Sequence, residues 1–457
     1  MIDRAEDPVV KPPLAPKPLG ELLAEHRDRL PDVLGQTLYP TVRGRYVHWD
    51  KLRHLEPPEG LSHEHWWLGL KFSRSIQHRP LPLTDATGQP FVYMLPDRVQ
   101  EALHQIDSRA SGRIDMPEQV TNRDTRDRFI VNSLIEEAIT SSQLEGASTT
   151  RAAAADMIRA GRRPLDRSER MILNNYRAMH AIREIKDEPL SPDAVLRLHA
   201  MLTSETLDDR EAVGRIQRPE DERVRVWDSR GQRILYTPPP AVELPRRLDA
   251  MIRFANYDTG GGPFLHPVIH AITLHFWLAY EHPFEDGNGR TARALFYWAM
   301  LRHGYGLFEL ISISRLLKEA PGQYARAFLH TETDGNDLTY FVVQQVDVIV
   351  RAIGDLEAYV TKKIEQTKRV ERMLERSTDL NHRQLALLAH AIRHPDAQYT
   401  TRSHMTSHEV AYATARADLF KLADLELLER RRIGRKTNVF HAPPDLDERI
   451  RALTADR

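Results

Sequence analysis

The sequence contains no cysteine in its 457 residues. This absence excludes a thiol nucleophile, a zinc site with cysteine ligands, a redox switch and a disulfide scaffold. An excess of one charge is also missing, because 64 Lys and Arg residues are balanced by 65 Asp and Glu residues to a net charge of -1. Nucleic acid or a membrane would therefore have to be bound by a local patch, since the whole chain has no net field to attract it.

Long apolar runs are absent as well. No window approaches the roughly 18 uninterrupted apolar residues that a membrane span needs. Met1 to Pro18 are rich in proline, without the apolar segment of a secretory signal. We therefore expect a cytoplasmic protein with no membrane partner. The hydrophobic content of 41% is enough for a core in each of two or three domains, which excludes global disorder.

Three regions of the chain differ in the spacing of their apolar residues. Residues 1–95 combine a Pro-rich arm with short aromatic and β-branched runs, which predicts a small N-terminal α+β region. Residues 96–376 have helical spacing with one interruption at about 224–236, which predicts a β-hairpin in a helical domain. Residues 377–457 predict helices followed by a basic two-stranded wing, the order of a winged helix-turn-helix domain. The fold class we predict is mainly α.

One loop, residues 282–293, lies between two apolar helical runs and leads into a helix. Its glycines, Gly287 and Gly289, allow a bulky anion to approach the main chain at the helix N-terminus, where unpaired N–H groups and the helix dipole favour phosphate. Arg290 and Arg293 are three residues apart and so share a helix face. Two guanidinium groups placed in this way could hold successive phosphates of one polyphosphate.

Two more side chains of this loop suit reaction chemistry. Asp286 offers a hard oxygen for Mg²⁺, which proteins bind through one or two carboxylates together with substrate phosphates. His282 can take up a proton near neutral pH. Each residue alone has a plainer explanation, such as a capped core histidine or a solvent-exposed arginine, but that explanation does not account for the whole set.

Eight positions of the loop fit one known pattern: His282, Phe284, Asp286, Gly287, Asn288, Gly289, Arg290 and Arg293. They match every fixed position of the signature of the Fic family, and the loop therefore resembles that family. Its members typically transfer AMP from ATP to a hydroxyl group of a target protein. The likeness extends to both sides of the loop and covers roughly residues 97–372.

The resemblance implies a role for each residue of the pattern. His282 would deprotonate the target hydroxyl, and Phe284 would anchor the loop to the core. Asp286 would hold Mg²⁺, while Asn288 and the loop amides would bind the phosphates of ATP. The two arginines would hold the outer phosphates.

The hairpin at about 224–236 would be a flap on which a target segment is laid down by strand addition, again by resemblance. The target protein itself is not specified by the sequence. The residues that we expect to dock it are Val224, Val226, Ile234 and Tyr236.

A second motif, Ser141 to Gly146, matches the inhibitory pattern of the same family: Ser or Thr, three residues, Glu, then Gly or Asn. It ends an apolar-periodic helix predicted at about 128–146. The resemblance implies that Glu145 pairs with Arg293 and so takes the partner of the γ-phosphate. Two alternatives remain: an ordinary helix end with Glu145 exposed, or a Glu145 that positions water for removal of AMP.

The C-terminal region resembles the winged helix often fused to this family, with residues 410–419 as the candidate recognition helix. Its wing carries basic residues where phosphate contact is expected. The helix offers few side chains that read bases, and Asp418 is expected to oppose the positive field. DNA binding therefore competes with a protein-interaction or homodimerisation role. The basic residues of the wing are Arg430, Arg431, Arg432, Arg435 and Lys436.

The leading hypothesis is an autoinhibited protein adenylyltransferase that modifies a target, and also itself, with Mg²⁺ and ATP. One alternative keeps the same site and makes removal of AMP by phosphodiester hydrolysis the main activity. Another is a winged-helix transcriptional regulator that only senses ATP. The intact His282 argues against the regulator, because sensing needs phosphate ligands and no base.

Overall fold

The computed structural model describes residues 11–36, 39–110, 123–227, 233–256, 263–375, 380–395, 397–433 and 437–455. Contacts within the chain form two compact units, one from residues 1–114 and 132–353 and one from residues 115–131 and 354–457. Helices dominate both units, which confirms the predicted mainly α fold. No helix in the described ranges is both long and apolar enough to cross a membrane.

The N-terminal part of the first unit consists of short helices and one hairpin. Trp67 and Leu68 are buried in an apolar cluster with Leu22, Val33 and Leu52. The two strands of the hairpin pair antiparallel. The elements are α1 (Leu19–Glu25), α2 (Leu30–Gln36), α3 (Trp49–Leu52), α4 (His63–Ser75), β1 (Arg79–Thr84) and β2 (Pro90–Tyr93).

Buried polar contacts fasten this part to the helical core. The Arg74 guanidinium is fully buried and donates to the Tyr340 hydroxyl at 2.8 Å. The Lys71 Nζ lies 2.9 Å from an oxygen of the buried Asp334. Buried ion pairs of this kind fix the relative position of the elements that they join more than they add stability, and they place the N-terminal helices in the first unit.

The helical core surrounds two helices, α11 (Pro267–Glu281) and α12 (Asn288–Arg302), whose residues are almost all buried because they are apolar on nearly every face. A short hairpin, β3 (Val226–Trp227) with β4 (Ile234–Tyr236), pairs antiparallel. The other helices are α5 (Asp97–Ala110), α6 (Arg123–Leu144), α7 (Arg151–Ala160), α8 (Arg167–Ile185), α9 (Pro192–Thr203), α10 (Leu244–Ala255), α13 (Ile313–Glu319), α14 (Pro321–Thr333) and α15 (Thr339–Glu375).

The second unit contains helices, three short strands and a final helix; the winged-helix assignment of this region stays a prediction. Three antiparallel strands lie in the order β5, β7, β6. Leu388, Leu419, Phe440 and Ile450 are buried together in its apolar core. The elements are α16 (His382–Arg393), β5 (Gln398–Thr400), α17 (Thr401–His408), α18 (Tyr412–Asp424), β6 (Glu429–Ile433), β7 (Thr437–His441) and α19 (Leu446–Ala455).

The carboxylate of Asp418 lies inside this unit. It accepts hydrogen bonds from Arg383 Nε and Asn381 Nδ2, both at 2.7 Å, and its side chain is buried. The expectation that Asp418 opposes a positive field at the helix surface is therefore wrong, because its charge is neutralised within the core. Two of the predicted basic wing residues, Arg435 and Lys436, lie outside the described residues.

Buried histidines should make the first unit sensitive to acid. Burial lowers the pKa of His199, His270 and His330 to about 4 and that of His275 to about 3. Below the ordinary histidine pKa, near 6.5, these histidines are protonated in the unfolded chain but stay neutral in the folded chain. The free energy of unfolding therefore decreases as the pH falls from about 6.5 towards 4. Each histidine contributes up to about 1.4 kcal/mol per pH unit.

Urea unfolding at pH 7 and pH 5 measures this loss. The transition of the wild type should move to lower urea at pH 5, and His275→Gln should show a smaller shift between the two pH values. Equal shifts in both proteins would contradict the assignment for His275.

Candidate active site

The loop between α11 and α12 has left-handed backbone at both ends. The imidazole of His266 caps the start of α11 by accepting from Val268 N at 3.2 Å. The helix ends at His282, whose φ of 47° is left-handed, and Pro283 prevents its continuation. Gly287 has a φ of 81° immediately before α12 begins. A Cβ at Gly287 would lie 2.7 Å from Thr203 Cγ2, so that position requires glycine for both backbone and space.

Phe284 and Asn288 hold this loop in shape. The Phe284 ring is fully buried and stacks on His199 with ring centroids 3.7 Å apart. The Asn288 amide accepts from Phe284 N at 2.9 Å and donates to Phe284 O at 2.8 Å. Both ends of the side-chain amide are thus used inside the loop, and a phosphate contact of Asn288 would have to come from its main-chain N–H.

His199, which the sequence analysis missed, is a second support of the loop. Its Nδ1 accepts from Gly214 N at 3.0 Å, which leaves the proton on Nε2, 2.9 Å from Asp286 O. Burial keeps the imidazole neutral by lowering its pKa to about 4. A lone histidine in the apolar helix α9 gives no signal in sequence, because only the fold brings it to the loop.

His282 is neutral, as a residue that accepts a proton must be. Its Nδ1 lies 3.4 Å from Ala279 O, which favours the proton on Nδ1 and leaves the lone pair of Nε2 available. Burial is the main cause that lowers the pKa of His282, with a smaller contribution from the charge of Arg223. The ring is therefore neutral near pH 7.

Asp286 and Arg290 lie on one side of the helix N-terminus. The buried Arg290 donates from Nη1 to Leu202 O at 2.9 Å and from Nη2 to Asp286 Oδ2 at 3.4 Å. The Asp286 side chain is 37% exposed and also lies 3.8 Å from Arg167 Nη2. One half-exposed carboxylate beside a phosphate-binding loop fits Mg²⁺, which keeps several waters and shares its ligands with phosphates.

Arg293 has different partners from Arg290, although the spacing of three places both on one helix face. Its Nε donates to Ser141 Oγ at 2.9 Å, and its Nη2 donates to Ser141 O at 3.0 Å and to Glu145 Oε1 at 2.8 Å. Arg293 is buried, while the Glu145 side chain is 24% exposed. The arginine is thus held by Ser141 in the last turn of α6 and by Glu145 just after it.

The Glu145 carboxylate lies over the start of α12. A Cβ built on Gly289 would lie 2.2 Å from Glu145 Oε1, so the absence of a side chain at 289 makes room for it. A carboxylate at the N-terminus of a helix is favoured by the dipole that would favour a phosphate. Glu145 is therefore not a free surface residue, and its carboxylate occupies the position at the N-terminus of α12 where another anion would bind.

Buried polar contacts fix α6 to the core. The Glu137 carboxylate is buried and accepts from the Tyr297 hydroxyl at 2.9 Å, from Ser312 Oγ at 2.7 Å and from Ser314 N at 3.1 Å. A buried charge with this many donors is costly to expose. The helix that carries Ser141 is thereby held in place about two turns before Glu145.

The flap hairpin is shorter than predicted. Val226, Ile234 and Tyr236 lie in its strands, but Val224 precedes them, because its N–H is turned towards Gln217 Oε1 at 3.4 Å. The Tyr236 hydroxyl donates to Tyr280 O at 2.9 Å and so anchors the flap instead of facing outward. The predicted turn at 228–232 lies outside the described residues.

A helix that begins among glycines and carries two buried arginines in its first two turns is suited to bind phosphate, and here a neutral histidine lies immediately before it. Comparison of sequences gives the family. Residues 189–300 match the model of the Fic/DOC family. The chain therefore contains a Fic domain, which confirms the resemblance found in the loop.

Two relatives and one solved structure show how far the likeness extends. "Protein adenylyltransferase Fic" of Nematostella vectensis is 38% identical over 71 residues, 15% of this chain and 16% of the relative. The protein of the same name from Culex quinquefasciatus is 45% identical over 56 residues, 12% and 11%. A Fic family protein from Desulfovibrio desulfuricans shares the fold at a TM-score of 0.50 and 18% identity, over 80% of this chain and 98% of that one. The matched part spans about a sixth or less of the length of these two curated relatives.

Proposed function

We propose that the chain transfers AMP from ATP to a hydroxyl group of a target protein and of itself. The neutral His282 at the entrance of a phosphate-binding helix is the observation that carries the proposal. The relatives named as adenylyltransferases support the same chemistry. A lysate labelled with a tagged ATP analogue and the purified protein, followed by mass spectrometry, tests it and identifies the modified residue as Tyr, Thr or Ser.

Each functional residue of the loop has its own role in the proposed transfer. His282 Nε2 takes the proton of the acceptor hydroxyl, whose oxygen attacks the α-phosphorus while pyrophosphate leaves. The main-chain N–H groups at the start of α12 and the guanidinium of Arg290 bind phosphate oxygens, and Arg293 binds the outermost phosphate. Asp286 would hold Mg²⁺, which supplies neutralisation of phosphate charge. The flap orients the target segment by strand pairing.

Asp286→Ala should abolish transfer, because the partly exposed carboxylate that would hold Mg²⁺ is lost. We expect a fall of about 100-fold or more, with activity equally lost in the wild type under excess chelator. Asp208→Ala is the matched control, since that exposed carboxylate contacts the same Arg167, at 3.9 Å. Full activity in chelator would contradict the assignment of Asp286 to Mg²⁺.

We further propose that Glu145 inhibits transfer by binding Arg293 in place of the γ-phosphate. The same carboxylate is partly exposed at the helix N-terminus, so a second candidate activity is removal of AMP with Glu145 positioning the water. Purified protein incubated with an AMP-modified target distinguishes the two: release of AMP favours hydrolysis, and a stable adduct favours transfer alone.

For the second unit we propose DNA binding by α18 and the wing. The guanidinium groups of Arg416 and Arg430 lie over the Phe420 ring, 5.0 and 5.2 Å from its centroid, and Tyr412 is 59% exposed at the start of α18. Two pre-placed guanidinium groups beside an exposed aromatic ring suit phosphate and base contact. Duplex binding that weakens with salt and falls in Arg416→Ala supports this. Salt-independent self-association would favour homodimerisation instead.

A further inference from the structure

One arginine joins the base of the flap to the backbone of the candidate base. Arg223 precedes β3, and its Nε donates to Pro239 O, just after β4, at 2.8 Å. From the other end of the guanidinium, Nη1 donates to His282 O at 2.8 Å and Nη2 to Glu281 O at 2.5 Å. A single planar group thus bonds the two ends of the hairpin region, the last carbonyl of α11 and the carbonyl of its C-cap residue, His282.

The carbonyl groups of Glu281 and His282 lack a hydrogen-bond donor within the helix. Glu281 ends α11 and His282 is its left-handed C-cap, so no N–H of the helix can reach them. The carboxylate of Glu281 is already held by Arg247 Nε at 2.6 Å and by Trp277 Nε1 at 3.1 Å. The guanidinium of Arg223 therefore donates hydrogen bonds to main-chain oxygens. These bonds fix the geometry of the turn that carries the imidazole of His282.

Gln217 keeps Arg223 in this orientation. Its Oε1 accepts from Arg223 Nη1, and its Nε2 donates to Glu222 O at 2.9 Å. Its own N–H donates to Pro283 O at 2.8 Å, within the same turn. The side chain is buried, so both residues form one rigid connection between the flap and the residues around His282.

We propose that Arg223 is a positioning residue for transfer, which keeps the target segment on the flap in register with the imidazole of His282. This inference rests on the proposed function. A base must lie within hydrogen-bond reach of the proton it removes, and an error of about 1 Å typically costs on the order of 100-fold in rate. Within the described residues, the hydrogen bonds of Arg223 go to Pro239, Gln217, Glu281 and His282 and to none of the residues expected to bind phosphate. Its effect should therefore fall on kcat and on the target instead of on ATP.

The test uses the full chain with Glu145→Gly as the parent, and compares Arg223→Lys, Arg223→Met and the control Arg218→Ala, an exposed arginine of the same loop. Arg223→Met should lower kcat about 100-fold and Arg223→Lys about 10-fold, because an ammonium cannot bond four acceptors at once. The Kd for ATP should stay within twofold of the parent in both, and Arg218→Ala should match the parent.

The pH profile separates positioning from loss of structure. Arg223 lowers the pKa of His282, while Asp286 and, in the wild type, Glu145 raise it. Arg223→Met should therefore move the acid limb of the kcat profile to higher pH, and Arg223→Lys should leave that limb in place. Identical profiles in both variants, or an ATP Kd that rises in proportion to the loss of kcat, would overturn the proposal.

Hydrogen exchange tests the same connection without activity. In Arg223→Met, peptides covering 216–227, 233–240 and 278–284 should all lose protection, while the control retains it. If the parent transfers no AMP, the proposed function fails, and unchanged exchange in Arg223→Met would overturn the connection between flap and loop as well. A parent that transfers AMP together with Arg223 variants of full kcat would overturn only the role of Arg223.

Discussion

His282→Ala should still bind ATP and should transfer AMP about 10²- to 10⁴-fold more slowly, the usual loss when a general base is removed. In the described part of the chain, the imidazole makes one long hydrogen bond, 3.4 Å to Ala279 O, so its removal leaves the loop supported by Phe284, Asn288 and His199. None of these supports depends on the imidazole of His282. The loss should therefore appear in kcat and not in the Kd for ATP.

The measurement needs a protein with high basal transfer, and the Glu145→Gly parent provides it. ATP affinity is measured by calorimetry, and transfer by incorporation of label at saturating Mg²⁺ and ATP. His54→Ala, at an exposed histidine, is the control for removing an imidazole. Transfer by His282→Ala within tenfold of the parent would show that another group takes the proton.

The loop before α12 and the contact of Glu145 with Arg293 could be predicted from sequence because both depend on short spacings. In any fold that forms this helix, Gly287 lies just before its N-terminus and Arg293 lies in its second turn, where both suit an anion. The same holds for Ser141, in the last turn of α6, and Glu145, which follows the end of that helix. The hairpin was also predictable, although its strands proved shorter than the sequence pattern.

Other residues of the site take their meaning from contacts between distant parts of the chain. His199 lies 85 residues before the phenyl ring on which it stacks, and nothing in its local sequence distinguishes it from a core residue. Arg223 resembles any charged residue of a loop until Pro239 and His282 are brought beside it. Asp418 was misjudged for the same reason, since its partner Arg383 belongs to another helix.

The second large effect is expected from Glu145→Gly, which should raise AMP transfer about tenfold or more. Glu145 Oε1 is bonded to Arg293 and lies against Gly289, so an ATP molecule that binds beside it cannot use Arg293 for its γ-phosphate. Such ATP would bind with its α-phosphate out of line with the acceptor hydroxyl. Because Ser141 keeps two bonds to Arg293, the guanidinium stays in place when the carboxylate is removed.

Thermal stability provides an independent test of the contact between Glu145 and Arg293. Without nucleotide, Glu145→Gly removes the carboxylate partner of the buried Arg293, which should cost about 1–3 kcal/mol. The γ-phosphate replaces the lost carboxylate, so the rise in Tm on adding ATP should be larger in Glu145→Gly than in the wild type. ADP, which lacks that phosphate, should give no such additional rise.

A double substitution distinguishes release of Arg293 from loosening of the helix. If Glu145 acts through the arginine, Glu145→Gly with Arg293→Ala should lose the gain in transfer, because the group that was freed is gone. Gln143→Gly is the matched control: Gln143 Nε2 donates to Thr149 O at 2.9 Å, so its loss loosens the end of α6 while the bond between Glu145 and Arg293 remains. A gain in Gln143→Gly equal to that in Glu145→Gly would favour loosening. Unchanged self-modification and target labelling in Glu145→Gly at saturating Mg²⁺ and ATP would mean that Ser141 to Gly146 is only the end of a core helix.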